Sequence, residues 1–178
     1  MGSVEQIDEL MTESLKDLAE DPLVTKWIAK ENNWVSYFAF RHLVPRCQPD
    51  HALNDPAQIG IEVSVPQQPE GRTRGVRRDT VIWPAAGMTC WGDGWEACHH
   101  PIAILEWKVH RPGRKNRLVV KEREWLKNYC RWRLSVVAYA IEVDCSVQPI
   151  TITCSRFHGR NSEKRWRELE CRHSSVTT

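Results

Sequence analysis

Before Pro45 the apolar positions recur with the period of a helix. Ser3 followed by Gln6 is a capping-box signature, and Val4, Ile7, Leu10, Met11, Leu15 and Leu18 then share one face, which predicts an amphipathic helix over residues 4–19. Asp21 and Pro22 read as the N-cap and first turn of a second helix. Its stripe runs Leu23, Trp27, Ile28, Trp34, Val35 and Phe38 until Pro45 stops it, with room for a kink at Asn32-Asn33. Residues 45–58, with Pro45, Pro49, Asp50, Asn54, Asp55 and Pro56, form a loop pattern.

At Ile59 the period becomes two. Ile59, Ile61, Val63 and Val65 alternate with Gly60, Glu62 and Ser64, the signature of a strand that Pro66 ends. VRRDTVIW and IAILEWKV are two further strand-like runs, separated by a Gly/Trp-rich loop from Pro84 to His100. Residues 121–133 return to helical spacing through Trp125, Leu126 and Tyr129, and SVVAYAIEV is an uninterrupted apolar run suited to a strand covered on both faces. ITITCSRF supplies a last strand, and the polar tail from Asn161, with Glu163, Lys164, Trp166 and Leu169, reads as a terminal helix that frays over residues 172–178. The resulting order is α-α-β-β-β-α-β-β. It implies an α/β (α+β) fold in which a mixed central sheet is flanked by helices.

Composition narrows the class. The chain has 178 residues, 41% hydrophobic and 27% charged, with a mean hydropathy of −0.52; this suits one domain with one core. No run approaches the ~20 apolar residues that span a bilayer. The acidic start lacks the apolar stretch of a secretory signal, so a cytoplasmic location is expected. The odd, scattered set Cys47, Cys90, Cys98, Cys130, Cys145, Cys154 and Cys171 is not a disulfide framework.

Charge is unevenly placed. Residues 1–21 hold Lys16 against Glu5, Asp8, Glu9, Glu13, Asp17, Glu20 and Asp21; set aside from 25 basic and 23 acidic residues, they leave the remainder with a net charge of +8. A basic body admits a polyanionic partner. The acidic helix either packs by its leucines as a solvated amphipathic element, or docks on a partner or shields a basic cleft.

Three acids stand where burial is expected. Glu106 and Lys108 are two residues apart in a strand, so both leave one face while Trp107 leaves the other. Asp79 sits among Val76, Val81 and Ile82 in the preceding strand, and direct neighbours would stand about 5 Å apart. Two carboxylates that close repel unless a hard divalent cation such as Mg²⁺ lies between them. Glu31 falls on the apolar stripe of the second helix, between Trp27 and Ile28 on one side and Trp34 and Val35 on the other. It needs a partner there, or a kink at Asn32-Asn33 that turns it to solvent.

Glu31 on a helix, GIEVSVP, RRDTVIWP, PIAILEWKV and a following helix and strand together resemble the PD-(D/E)xK phosphodiesterase superfamily, the restriction-endonuclease-like nucleases, over residues 23–155. The motif is short and degenerate, and its weight lies in the strand context of Asp79 and of Glu106-x-Lys108. Arg77-Arg78 stand before Asp79 where the family's name suggests a proline. The resemblance implies a nuclease-like domain over residues 22–160, between an acidic N-terminal helix (1–21) and a C-terminal helix or tail (161–178). It further implies a Mg²⁺-dependent deoxyribonuclease, an endonuclease, with Mn²⁺ as a substitute. Asp79, Glu106 and the backbone carbonyl of Trp107 would bind the metal, Glu31 would reach it through water, and Lys108 would orient or help deprotonate the attacking water. Glu62 is the reserve for Glu31. The alternative is a catalytically inactive subunit of the same fold that binds nucleic acid or a protein.

Two basic clusters bracket this site in sequence: Arg72, Arg74, Arg77 and Arg78, and then Arg111, Arg114, Lys115, Arg117, Lys121 and Arg123. They predict contacts to the DNA backbone, against the alternative of a solvated charged surface. One active site cuts one strand, so a homodimer or a larger complex is expected. In the Gly/Trp-rich loop, Cys90, Cys98, His99 and His100 could ligate zinc, although their spacing matches none of the short zinc knuckles. Trp91 and Trp95 either stack on unpaired bases or fold back over a small core.

Overall fold

A computed structural model describes residues 3–27, 29–68, 74–113 and 120–171. Helix α1 (Ser3–Glu20) is followed by α2 (Glu31–Phe38), strands β1 (Ile59–Val65), β2 (Val76–Ile82) and β3 (Ala103–His110), helix α3 (Val120–Trp132), and strands β4 (Val137–Asp144), β5 (Thr151–His158) and β6 (Asn161–Glu170). The strands form one mixed sheet in chain order. Among the described residues only β3 and β4 pair in parallel, Ala103 through His110 against Val137 through Asp144; α3 is the crossover that a parallel pair requires.

Each face of the sheet has its own core. Ile7, Met11, Leu15 and Leu18 of α1 and Trp34, Val35 and Phe38 of α2 pack on Leu105, Trp107, Tyr139 and Ile141. On the opposite face Leu126, Tyr129 and Cys130 of α3 pack on Val81, Ile104, Ala138, Ala140 and Phe157. This is why β4 reads as continuous apolar sequence. No helix among the described residues is long and apolar enough to cross a membrane. All seven cysteines are free.

The expected α-α-β-β-β-α-β-β order requires two corrections. The second helix is not continuous from Asp21 to Pro45: a 3₁₀ turn at Val24–Lys26 ends on extended Trp27, and α2 begins only at Glu31, loosens into a π turn at Ala39–Leu43 and tightens to a 3₁₀ turn at Val44–Arg46. The Trp27 ring folds back on Trp34 and Tyr37, centroids 5.1 and 5.0 Å away, and that packing outweighs helix propensity. The C-terminal helix expected within residues 161–178 is instead strand β6, joined to β5 by a tight turn that pairs His158 with Asn161. Gly159 takes φ 57° in that turn, a backbone state glycine adopts without strain. A register shift between Cys154 and Arg156 and positive φ at Arg165 break the two-residue alternation of the tail.

One irregularity positions the functional residues. Glu62 has φ 54°, and β1 turns over there: Ile59 and Ile61 pack on the α1/α2 side, Val63 on the α3 side. In β2 the pairing with β3 stops at Thr80 opposite Leu105. Beyond it the strands part, and Asp79 lies at the opening.

Candidate active site

Asp79 fills the gap where the ladder ends. Its Oδ2 accepts the Trp107 backbone N–H at 2.7 Å, replacing the strand partner that β2 no longer supplies. A residue's N–H and C=O point to the same side of an extended strand, so the Trp107 carbonyl also faces this opening. Burial, opposed by that hydrogen bond and reinforced by Glu31 and Glu62, pushes the Asp79 carboxyl up to about 6.

Glu106 lies across the opening on β3 and is only 7% exposed. Its Oε1 accepts Nη1 of Arg78 at 3.2 Å, and its Oε2 is buried with no hydrogen-bond partner. Burial first, and the Asp79 charge second, push its carboxyl up to about 7, against the pull of Arg78. The Asp79 charge thus reaches Glu106 across the opening.

Lys108 closes the group from both faces of the sheet. Glu31 of α2 reaches Nζ at 3.3 Å and Glu122 of α3 at 3.9 Å, although α2 and α3 pack on opposite sides. Desolvation lowers the lysine pKa, but the two carboxylates outweigh it and the net shift is upward. Lys108 is thus held as an ammonium. Glu31 opens α2, where the helix dipole favours a carboxylate, and not the middle of an apolar stripe. Neither a kink nor solvent accounts for it; the lysine is its partner. The reserve acid, Glu62, pairs with Arg77 at 3.8 Å.

Glu122 was not visible as a site residue, because KERE at the start of α3 looks like any solvated first turn. Its Oε2 is buried without a hydrogen-bond partner, and its charge is among those that raise Glu106. Arg78, expected on phosphates, is 7% exposed; it turns inward to Glu106, with its guanidinium 3.6 Å over the Trp125 ring. Arg123 is likewise engaged, donating to Ser155 Oγ at 3.1 Å and to Glu142. Arg74, Arg77 and Lys121 are exposed. Arg72, Arg114, Lys115 and Arg117 lie outside the described residues.

The loop candidates separate. His99 Nδ1 lies 3.1 Å from the Thr89 carbonyl and His100 Nδ1 2.8 Å from the Tyr129 hydroxyl, while Cys90 is buried and Cys98 exposed. Trp91 packs against the α3-side core, whereas Trp95 is 76% exposed. Among the described residues no group of three or more His, Cys, Asp or Glu is gathered to hold a metal ion; the acid centre offers two carboxylates and a main-chain carbonyl. Comparisons with protein-family models, curated proteins and solved structures found no match.

Proposed function

We propose that the chain is a metal-dependent nuclease of the PD-(D/E)xK type that hydrolyses phosphodiester bonds of DNA. The observation that carries the reading is Glu106. It is a nearly buried carboxylate with one oxygen unpartnered, across a strand opening from Asp79 and two residues before a lysine held as a cation. Leaving a buried acceptor unpaired costs about 1–3 kcal/mol, and a group kept at that expense suits a ligand.

Hard oxygen donors from Asp79, Glu106 and the Trp107 carbonyl fit Mg²⁺ or Mn²⁺. Such an ion would act as a Lewis acid on the phosphoryl oxygens and lower the pKa of bound water. The protein's own contribution is positional and electrostatic. The Trp107 N–H fixes the Asp79 carboxylate, and Arg78 holds Glu106 in place. Lys108, kept protonated by Glu31 and Glu122, orients the attacking water and offsets charge on the pentacoordinate phosphorus; it is unsuited to taking a proton. Glu31 and Glu122 are positioning residues for that lysine.

A second reading follows from the same ion pairs. Arg78 with Glu106, and Lys108 with Glu31, neutralise the centre without a metal, which suits a subunit that binds nucleic acid or a protein without turnover. Linear, circular, single-stranded and branched DNA incubated with Mg²⁺ or Mn²⁺ separates the two. Cleavage by the wild type that Asp79→Asn and Glu106→Gln abolish supports the nuclease. DNA retained but left intact under every condition supports the binding subunit. Cleavage of both strands of a duplex would require two copies or a larger complex, because one such centre cuts one strand.

A further inference from the structure

We propose that a cavity between α3 and the chain leaving β1 takes one unpaired nucleobase of the substrate strand; the proposal rests on the nuclease reading. The cavity measures about 230 Å³ and is lined by Gln67, Gln68, Trp125, Asn128, Tyr129 and Trp132. That is below the ~300–1,000 Å³ of pockets that enclose drug-sized ligands. It has the size of a single flat ring system.

Its chemistry is that of a base and not of a phosphate. Three aromatic rings wall it, and beside the Tyr129 hydroxyl, which meets His100 Nδ1 at 2.8 Å, its polar side chains are three carboxamides, with no charged side chain among the lining residues. Carboxamides present donor and acceptor side by side, the pattern that matches a nucleobase edge, and aromatic rings accept the base's π-face. The core explains only part of α3: Leu126, Tyr129 and Cys130 are buried, whereas Trp125 and Trp132 remain half-exposed and Asn128 and Gln68 exposed. Trp125 stacks beside Tyr129 at 4.8 Å, and Trp132 stands edge-on to Tyr129 at 5.3 Å, so the walls are braced against each other. Gln67 donates to the Arg74 carbonyl at 3.2 Å, fixing the rim between β1 and β2.

The cavity is wired to the acid centre through one side chain. The Arg78 guanidinium covers the Trp125 ring at 3.6 Å while donating to Glu106 at 3.2 Å. A base seated against Trp125 therefore belongs to a nucleotide close to the phosphate at the acid centre. Duplex DNA keeps its bases stacked, so this site selects single strands, flaps or extruded bases.

The test measures binding in EDTA, where turnover is absent, with a labelled mixed-sequence single-stranded DNA oligonucleotide, its abasic counterpart and a blunt duplex. The full chain should bind the single strand at least about tenfold more tightly than the abasic strand, since one stacked base is worth ~1–3 kcal/mol. Gln68→Ala/Asn128→Ala, at exposed positions, should cut that difference about threefold by removing contacts to the base edge and leave duplex binding unchanged. Trp132→Leu, checked by circular dichroism for intact folding, should do the same. Equal affinity for the single strand and its abasic form, or a base preference untouched by these variants, overturns the proposal. So does a cavity that responds only to aromatic side chains of an added peptide. The two readings fail separately: base-dependent binding without cleavage by any metal leaves the cavity standing and removes the nuclease. Cleavage without base dependence does the reverse.

Discussion

At Glu106 the competing forces can be ordered. Desolvation of a carboxylate and the nearby Asp79 charge outweigh the Arg78 guanidinium, which raises the carboxyl from its ordinary value to about 7, with Asp79 raised to about 6. Both groups bind protons more tightly in the folded chain than in the unfolded one. Their contribution to stability is therefore complete below the ordinary carboxylate range, near pH 4, and is lost as pH rises through 6 and 7. His42, whose pKa burial lowers, acts with the opposite sign, so the informative quantity is a difference between variants. Denaturant unfolding in EDTA should show that Glu106→Gln gains about 2 kcal/mol relative to wild type on going from pH 5 to pH 8. Parallel pH profiles for the two proteins would show that Glu106 ionises normally. The same acids should give cleavage an acid limb, because metal binding requires them deprotonated. Lys108→Ala should lower kcat by about 10²-fold through loss of a preorganised charge, and Glu31→Gln or Glu122→Gln by less, with KM little changed. A Lys108→Ala enzyme that cuts at the normal rate removes the lysine from the mechanism.

The elements show where local sequence decides and where it does not. Helix α1 and strand β1 follow from periods of 3.6 and 2, and β2 to β5 from short apolar runs, because each has one face or both faces buried in a continuous core. The tail defeated that logic: β6 is an exposed edge strand whose register shift disturbs its alternation, so Trp166 and Leu169 mimic a helical spacing. Asp79, Glu106 and Lys108 were legible as polar residues inside apolar runs. Glu31 was legible as an anomaly but not as a first-turn residue, since the break before α2 comes from Trp27 folding onto Trp34. Glu122 and the inward turn of Arg78 depend on which elements meet, which no local pattern encodes. The same contrast bears on α1. Its acids look like a removable shield, yet Asp8 takes Nε and Nη2 of Arg156 at 2.6 Å each and the Tyr139 hydroxyl at 2.6 Å. Ile7, Met11, Leu15 and Leu18 are fully buried, at about 2 kcal/mol each, which together rivals the ~5–15 kcal/mol stability of a whole domain. Removal of residues 1–21 should thus unfold the chain rather than raise DNA affinity, and Asp8→Ala should cost about 2 kcal/mol. A truncated chain with a cooperative melt near that of the full one would overturn this.

Across the molecule, the uneven charge resolves into internal pairing on one side and open cations on another. The acidic leader is tied to its own fold: Asp17 and Glu13 meet Arg46, Asp21 accepts the Tyr37 hydroxyl at 2.6 Å, and Asp8 holds Arg156. Around the candidate site the cations divide. Arg78 and Arg123 are committed to Glu106 and Glu142, whereas Arg74 and Lys121 are exposed and Arg77, with 72% of its side chain exposed, has only a 3.8 Å contact to Glu62. A surface pair of that kind contributes little and is screened by salt. These three cations stand just before β2, on β2 and at the start of α3, the elements that carry Asp79 and Glu122. Replacing Arg74, Arg77 and Lys121 by alanine should weaken DNA binding about uniformly across sequences. It should also flatten the dependence of log K on log salt by up to about 3, since each neutralised phosphate releases close to one counterion and carries no base information. Arg78→Ala should behave differently, leaving the salt slope nearly intact while disturbing Glu106. Equal slopes for the wild type and the triple variant would place the path of the DNA on another face of the sheet.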